Sequence, residues 1–211
     1  MIMSVPTTSY SALTLEESRQ ALSAGELVLL PLAGAYVLAC DAGDPRAVER
    51  ISALKERPFG KPLPLLFSDL DAVQRAQVET PLLSLARDFW PGPLTLSVPA
   101  FPGLPSSVTQ GVHMVGIRVP EAEALRRLIR ALGRPIVATS ANPSGQPAAR
   151  TLEECERYRF KGVKGYLESP LGARKRSTVV GLVDGRLVFY REGSYSQERV
   201  EEAWLSRRMT H

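Results

Sequence analysis

The sequence predicts a single α/β domain with a twisted, mixed sheet flanked by helices. Short apolar runs typical of buried strands alternate with stretches whose apolar residues keep helical spacing. Hydrophobic residues make up 44% of the 211-residue chain, which is enough for a substantial core. No linker, repeat or low-complexity block divides residues 1–211, so we treat the whole chain as one domain.

Capping residues and apolar spacing predict the elements of the first half. Thr14 to Glu17 form a capping box that starts a helix, and Asp44 followed by Pro45 starts another. The predicted elements are a helix over 15–24, strands over 26–31 and 35–40, a helix from residue 45, a strand over 63–67, and helices over 69–77 and 81–89.

In the second half, Pro and Gly residues mark the breaks. Residues 101–112 are rich in Pro, Gly and Ser and predict a loop, whose role as a mobile lid we leave open. The predicted elements are strands over 94–98 and 115–120, a helix over 121–132, a strand over 135–138, a helix after the capping box at Thr151, a hairpin turning at Asp184-Gly185, and a last helix capped by Ser196.

Composition narrows the classes of function. The chain has only two histidines, which disfavours Ser–His hydrolysis and histidine-rich metal sites. It lacks a G-x-x-x-x-G-K-[ST] loop, so a nucleotide would not rest on a Walker motif. The net charge of +4 is compatible with anionic ligands or RNA without requiring either. We expect a cytoplasmic protein with no membrane partner. The chain has only two cysteines, no apolar run long enough for a membrane span and no secretory pattern in residues 1–10.

The stretch Val137-Ala138-Thr139-Ser140-Ala141-Asn142-Pro143-Ser144-Gly145 is the strongest candidate for a ligand site. An apolar strand there delivers Thr, Ser and Asn side chains into a tight turn, and such a loop can hold a phosphate or a carboxylate. Asn142 is the only asparagine in the chain. The alternative is an ordinary turn, since such clusters are common.

Cationic side chains stand at other element ends. Lys55 and Arg57 are two residues apart, so in an extended segment both point to one side and suit a polyphosphate. The alternative is a solvated helix end, where the dipole favours cations. Arg118 lies inside an apolar strand and needs either a structural or a bound carboxylate. The arginines of the helix over 121–132 form a face that is either solvated or touches RNA.

Four loops therefore combine Lys or Arg with hydroxyl or amide side chains, and together they indicate an anion site. The four loops are Lys55–Arg57, Thr139–Asn142, Ser177–Thr178, which follows the basic run from Arg174, and Arg191–Gly193. In this order they resemble the YrdC/Sua5/YciO family of threonylcarbamoyl-AMP synthases. The shared motifs are K-x-R-P, W-P-G-P-L-T, R-V-P, T-S-A-N-x-S-G, S-T-V-V and R-x-G, which cover residues 25–193.

The resemblance implies a fold of helices and a twisted sheet around an open cavity, and a nucleotidyl transfer. ATP, L-threonine and bicarbonate would give threonylcarbamoyl-AMP and pyrophosphate for the t6A modification of tRNA. Possible further partners are tRNA, double-stranded RNA and the downstream threonylcarbamoyl-transfer machinery. The family's ATP-binding positions correspond to Lys55, Arg57, Ser140, Asn142, Ser177 and Arg191, and its amino-acid pocket to Arg118, with Thr139 and Thr178 as candidates.

The chemistry that the family carries out fits these residue types. Substitution at a phosphoryl centre depends on positioning and charge neutralisation, so we expect no protein nucleophile and no metal site built from protein side chains. Magnesium would travel with the ATP phosphates.

One motif departs from the family. Its P-T-x-T-x-Y-G pattern reads Pro31-Leu32-Ala33-Gly34-Ala35-Tyr36-Val37 here, so both threonines and the glycine are replaced. The first threonine belongs to the amino-acid pocket in the family, and Leu32 takes its place. Two alternatives therefore stay open: a paralogue that carries out carbamoyl-adenylate chemistry on another acceptor, and a non-catalytic module that binds nucleotide or double-stranded RNA.

Overall fold

A ten-stranded mixed sheet forms the centre of the molecule. The structure, a computed structural model, describes residues 10–157, 161–173 and 176–208. Within these ranges the predicted α/β architecture with a mixed sheet is confirmed, and no helix is both long and apolar enough to cross a membrane.

Eight helices and ten strands are found in the described residues. The helices are α1 (Leu15–Ser23), α2 (Pro45–Leu54), α3 (Leu70–Arg75), α4 (Leu83–Phe89), α5 (Ser106–Thr109), α6 (Glu123–Leu132), α7 (Leu152–Arg157) and α8 (Gln197–Arg208). The strands are β1 (Ser11–Leu13), β2 (Leu27–Leu32), β3 (Ala35–Asp41), β4 (Leu65–Leu66), β5 (Leu94–Pro99), β6 (Met114–Arg118), β7 (Ile136–Ser140), β8 (Val163–Leu167), β9 (Thr178–Val183) and β10 (Arg186–Arg191). Their order across the sheet is β1-β8-β2-β3-β7-β4-β6-β5-β9-β10.

Local signals account for the ends of several elements. Thr14 and Glu17 form the predicted reciprocal capping box of α1, and Asp44 caps α2 through two backbone N–H groups. Asp184 and Gly185 both have positive φ and turn β9 into β10, as the sequence predicts. The strands β1 and β8 were not predicted, because they are short or weakly patterned. Strand β8 lies between β1 and β2 and pairs in parallel with both, so these strands are set by long-range pairing.

The two faces of the sheet are covered differently. One face carries the larger core, which includes Leu38, Val137, Ile117 and Leu96. The opposite face packs against α1 and α6 over β2, β3, β7 and β4, through residues such as Leu30, Ala138 and Leu128. Helix α6 ends at Gly133, whose positive φ closes the last turn.

Beyond β4, the face that carries α1 and α6 becomes polar. Strand alternation places Thr95, Ser97, Gly116 and Arg118 on this face, because Leu96 and Ile117 point into the larger core on the other side. These four residues belong to neither core, and Ser97 and Gly116 are only half-buried. We call this surface, over β6, β5 and β9, the open face.

The expectation of an irregular loop over 101–112 was wrong for residues 106–109. These residues form α5, Val108 is fully buried, and its carbonyl accepts the N–H of Leu63 at 2.9 Å. The high Pro, Gly and Ser content predicted a loop, because the single apolar residue Val108 gives no helical pattern. The helix depends on the packing of Val108 in the core.

Candidate functional site

The first cluster of predicted site residues is centred on the ammonium group of Lys55. The Nζ atom donates to the carbonyl oxygens of Ser140 and Asn142, the latter at 2.7 Å, and to Oδ1 of Asn142 at 3.0 Å. The Ser140 hydroxyl donates to the same Oδ1 at 2.5 Å. The structure therefore brings two of the four predicted loops into contact, because the residue that follows α2 binds the turn that follows β7.

The Lys55–Arg57 segment is not extended, contrary to the expectation from the spacing. Lys55 has helical dihedral angles, Glu56 has a φ of 50°, and the N–H of Arg57 returns to the Ser52 carbonyl at 3.0 Å. Both cations still lie close together. Burial, followed by repulsion from Arg57, lowers the pKa of Lys55 to about 8, so the ammonium form predominates at neutral pH.

Arg57 is held in place by backbone carbonyl groups. Its Nε donates to Lys61 at 3.0 Å and its Nη2 to Pro62 at 2.9 Å. Burial lowers the pKa of its guanidinium. Because both anchors are neutral, the full positive charge of Arg57 stays available to a ligand.

A second cluster joins β5, β9 and β10. Arg191 donates from Nε to the Ser177 carbonyl at 2.9 Å and from Nη2 to the Ser177 hydroxyl at 2.7 Å. The Thr95 hydroxyl donates to Ser177 Oγ at 2.9 Å. Although part of the Arg191 side chain is exposed, burial lowers the pKa of its guanidinium, and nearby Arg176 and Arg118 lower it further. The positive charges of Arg176 and Arg118 therefore act on Arg191 in this cluster.

Arg118 has the structural carboxylate that one of the two sequence interpretations required. Its Nη2 pairs with Glu121 at 2.5 Å, and its Nε donates to the Gly92 carbonyl at 2.8 Å. The Arg118 side chain is only 8% exposed, whereas that of Glu121 is 33% exposed. The guanidinium of Arg118 is thus buried, while the Glu121 carboxylate is partly exposed to solvent. An anionic ligand can therefore compete with Glu121 for Arg118.

Arg57, Arg118 and Arg191 share one arrangement. In each, Nε and Nη2 are bound inside the protein, and Nη1 has no hydrogen-bond partner among the residues that the structure describes. A guanidinium that is fixed by two donors and free at the third nitrogen loses little entropy when it binds an anion. The three arginines are therefore preorganised for carboxylate or phosphate groups.

The two clusters lie at opposite ends of the strands. Strand β4 pairs Leu66 with both Ile136 and Arg118, so Arg118 is level with the start of β7, whereas Ser140 is at its end. Four residues separate these levels, or about 13 Å at about 3.3 Å per residue. The open face runs between the clusters, so they can bind the two ends of one extended ligand or two adjacent ligands.

The two predicted threonines occupy different settings. Thr139 is 7% exposed on β7, between Ala138 and Ser140. Thr178 is fully buried, and its hydroxyl donates to the Tyr195 carbonyl at 2.7 Å while accepting the N–H groups of Gly193 and Tyr195. In this arrangement Thr178 positions the 193–195 turn beside Arg191, and a substrate contact from its hydroxyl would require these bonds to break.

Replacing Thr178 with valine is expected to destabilise the fold by about 2 kcal/mol, because the part-buried N–H groups of Gly193 and Tyr195 lose their acceptor without a change in side-chain volume. Urea denaturation measures this difference. Thr109→Val is the matched control, since the Thr109 hydroxyl donates only to the Ser106 carbonyl on the surface. Equal stability of the two variants would contradict the positioning role of Thr178.

Sequence reasoning included Thr95 and Gly193 only as the last residues of W-P-G-P-L-T and R-x-G, and gave neither a role in the site. Thr95 is 9% exposed and belongs to the Ser177 network, which the pairing of β5 with β9 reveals. Gly193 packs so tightly that a Cβ atom there would lie 2.4 Å from the Arg176 carbonyl oxygen. Its place in R-x-G, next to a predicted site arginine, was the available signal.

The divergent Leu32-Ala33-Gly34 segment forms the β2–β3 turn. Ala33 and Gly34 have φ angles of 55° and 76°, and the N–H of Gly34 donates to the Leu171 carbonyl at 2.9 Å. Leu32 is 8% exposed and belongs to the core beneath α1 and α6. Pairing across β3 brings this turn to the same end of the sheet as Ser140.

The arginines of α6 are partly engaged elsewhere. Arg126 pairs with Glu123, and Arg130 pairs with Asp69 at 3.3 Å. The idea of an RNA-contacting face on this helix stays a prediction.

The fold and the two clusters define an α/β protein with two groups of arginine and hydroxyl side chains near an open sheet face, which together form its candidate anion site. Sequence comparison specifies it further. The Sua5_yciO_yrdC family model, described as "Telomere recombination", matches residues 20–193. The chain therefore belongs to the Sua5/YciO/YrdC family.

Curated relatives in bacteria are named threonylcarbamoyl-AMP synthases. The protein from Pseudomonas savastanoi pv. phaseolicola is 36% identical over 174 residues, which cover 81% of this chain and 92% of the relative. The protein from Hahella chejuensis is 36% identical over 187 residues, which cover 84% and 98%.

Solved structures agree with this assignment. Pyrococcus abyssi Sua5 complexed with L-threonine superposes with a TM-score of 0.81 at 30% identity, over 90% of this chain and 56% of that protein. This chain thus spans little more than half of that structural relative. Escherichia coli YciO matches with a TM-score of 0.76 at 23% identity, over 88% of this chain and 98% of that protein, which supports the fold alone.

Proposed function

We propose that this protein is an L-threonylcarbamoyladenylate synthase, a nucleotidyltransferase that makes threonylcarbamoyl-AMP and pyrophosphate from ATP, L-threonine and bicarbonate. The observation that carries the proposal is the set of three anchored arginines, Arg57, Arg118 and Arg191, at the two ends of one open face in a family member. The product serves t6A modification of tRNA, in the cytoplasm.

The first cluster is the proposed site for part of the ATP polyphosphate. Arg57 offers its Nη1 beside the loop that Lys55, Ser140 and Asn142 form. Charge-assisted hydrogen bonds from a fixed guanidinium suit phosphate oxygens. Magnesium enters as the partner of these phosphates and is held by them and by water.

The second cluster completes the site. Arg191 and Ser177 would bind the nucleotide, while Arg118 would bind the amino-acid carboxylate in competition with Glu121. The L-threonine complex of P. abyssi Sua5 supports an amino-acid site in this fold. Thr139 is the remaining candidate for a hydroxyl contact.

The chemistry needs positioned charges rather than a protein nucleophile. The threonine amine attacks bicarbonate, water leaves, and an N-carboxylate forms. One oxygen of that carboxylate attacks the α-phosphorus of ATP, the bond to the β-phosphate breaks, and pyrophosphate leaves with the electron pair. The arginines keep the two anions close together and neutralise charge that develops on the phosphates.

The discriminating experiment is a substrate drop-out assay of pyrophosphate release. Release that requires ATP, L-threonine and bicarbonate together, with threonylcarbamoyl-AMP seen by mass spectrometry, is the expected result. Release with another amine or acid in place of threonine would indicate a paralogue, whose pocket the Leu32 substitution has changed. No release, with RNA bound in a strongly salt-dependent way, would indicate a binding module.

A further inference from the structure

The ammonium group of Lys55 has no hydrogen left for a ligand. An ammonium carries three N–H donors. In Lys55 these point to three oxygens of one loop: the Ser140 carbonyl, the Asn142 carbonyl and Asn142 Oδ1. Lys55 is only 2% exposed, so solvent reaches little of it. This differs from Arg57 and Arg191, each of which keeps one nitrogen unbound within the described part of the chain.

The loop that follows β7 is folded around this ammonium. The N–H of Ser144 donates back to the Lys55 carbonyl at 2.7 Å, so Lys55 contacts the loop as both donor and acceptor. Asn142 Oδ1 accepts from Lys55 and Ser140, which fixes the amide so that Nδ2 donates to the Gln146 carbonyl at 2.5 Å. Lys55 thus holds residues 140–146 both directly and through Asn142.

A buried cation requires this many acceptors. Desolvation of Lys55 and repulsion from Arg57 both disfavour the charged form, and the three oxygens oppose this by accepting from it. Pulling the ammonium toward a phosphate would break these bonds and release the loop. The arrangement is stable only while Lys55 stays bound to the loop.

We propose that Lys55 is a positioning residue of the nucleotide site: its ammonium organises the 140–146 loop from within, and the phosphates are bound by Arg57 and the loop rather than by Lys55. The inference rests on the proposed function for the identity of the ligand. The order of the loop in the ligand-free protein does not depend on it, and that order can be measured separately.

The test compares amide hydrogen exchange of residues 140–146 in ligand-free wild type and Lys55→Met. Loss of three charge-assisted bonds should speed exchange at Asn142 and Ser144 by about tenfold or more. The control is Lys164→Met, a change of the same kind at an exposed position on β8, which should leave this segment unchanged. Unchanged exchange in Lys55→Met would overturn the proposal, since a lysine that only contacts phosphate does not order the empty loop.

A second variant guards against unfolding of Lys55→Met. Asn142→Leu removes Oδ1 while keeping the size of the side chain, and should also speed exchange in the loop and weaken ATP binding. Positioning through Asn142 predicts that adding Lys55→Met to Asn142→Leu changes the ATP Kd by much less than the product of the single effects. Independent, multiplicative effects would contradict the proposal. If no variant releases pyrophosphate, the proposed reaction fails, but the exchange result still decides the role of Lys55.

Discussion

Replacing Arg57 with alanine is expected to weaken ATP binding by about 30- to 100-fold, which corresponds to the loss of a charge-assisted contact with phosphate. Free energy of unfolding should change by less than about 1 kcal/mol, because Arg57 is half-buried and gives up only its hydrogen bonds to the Lys61 and Pro62 carbonyls. Isothermal titration calorimetry with ATP and a urea denaturation curve measure the two quantities on one preparation.

The matched control is Arg46→Ala, which removes an exposed arginine from the start of α2, the helix that precedes Arg57. It lowers the net charge by the same amount, so it reports any effect of long-range attraction alone. If Arg46→Ala and Arg57→Ala weaken ATP binding equally, Arg57 is not a ligand contact and the first cluster is not the phosphate site.

Gly193→Ala is expected to have the largest effect on the second cluster. A Cβ atom would lie 2.4 Å from the Arg176 carbonyl oxygen and 2.5 to 2.6 Å from the carbonyl carbon and oxygen of Ser177. Backbone cannot yield as a flexible side chain does, so the turn must move away from Ser177, which anchors Arg191. We expect a loss of about 2–4 kcal/mol of stability and at least about a tenfold fall in kcat/KM.

Gly103→Ala provides the comparison for that variant. Gly103 has a φ of 79°, and a methyl group added there would have nothing within 4 Å. Alanine should therefore lower the free energy of unfolding only by the cost of a left-handed backbone, about 1–2 kcal/mol. Denaturation curves and pyrophosphate release should separate the two variants, with activity lost only in Gly193→Ala. Full activity in Gly193→Ala would show that the contact between this turn and Ser177 does not set the position of Arg191.

Local patterns predicted the elements whose causes are local. The Thr14–Glu17 capping box and the Asp184-Gly185 hairpin are decided by residues a few positions apart, and both were confirmed. Of the second capping box, the bond from the Glu154 N–H to the Thr151 hydroxyl is present, while the Glu154 carboxylate accepts the N–H of Arg150. The pairing of β1 with β8 depends on segments about 150 residues apart, so no local signal indicated it. Thr95 ends the W-P-G-P-L-T motif, but its contact with Ser177 follows only from the pairing of β5 with β9.

The candidate site shows the same division. The residue types at Lys55, Arg57, Ser140 and Asn142 marked an anion site, and the structure brings Lys55, Ser140 and Asn142 into one network. Their geometry was not predictable from the sequence. We expected an extended segment over Lys55–Arg57, but Glu56 has a positive φ and the Lys55 ammonium points into the protein. The sequence shows which cationic side chains are present. Only the packed structure shows which of their nitrogen atoms already donate to the protein.

The measurement that tests the central claim most directly is a hydrogen-exchange footprint with a non-hydrolysable ATP analogue and L-threonine, separately and together. L-threonine alone should protect only the second cluster, in residues 92–97. ATP analogue and L-threonine together should protect both ends of the open face, in residues 57–62 and 140–146 and in residues 92–97 and 191–195. Protection confined to one cluster when both ligands are present, or centred on the separate cavity lined by Arg75, Arg130 and Arg134, would contradict the account.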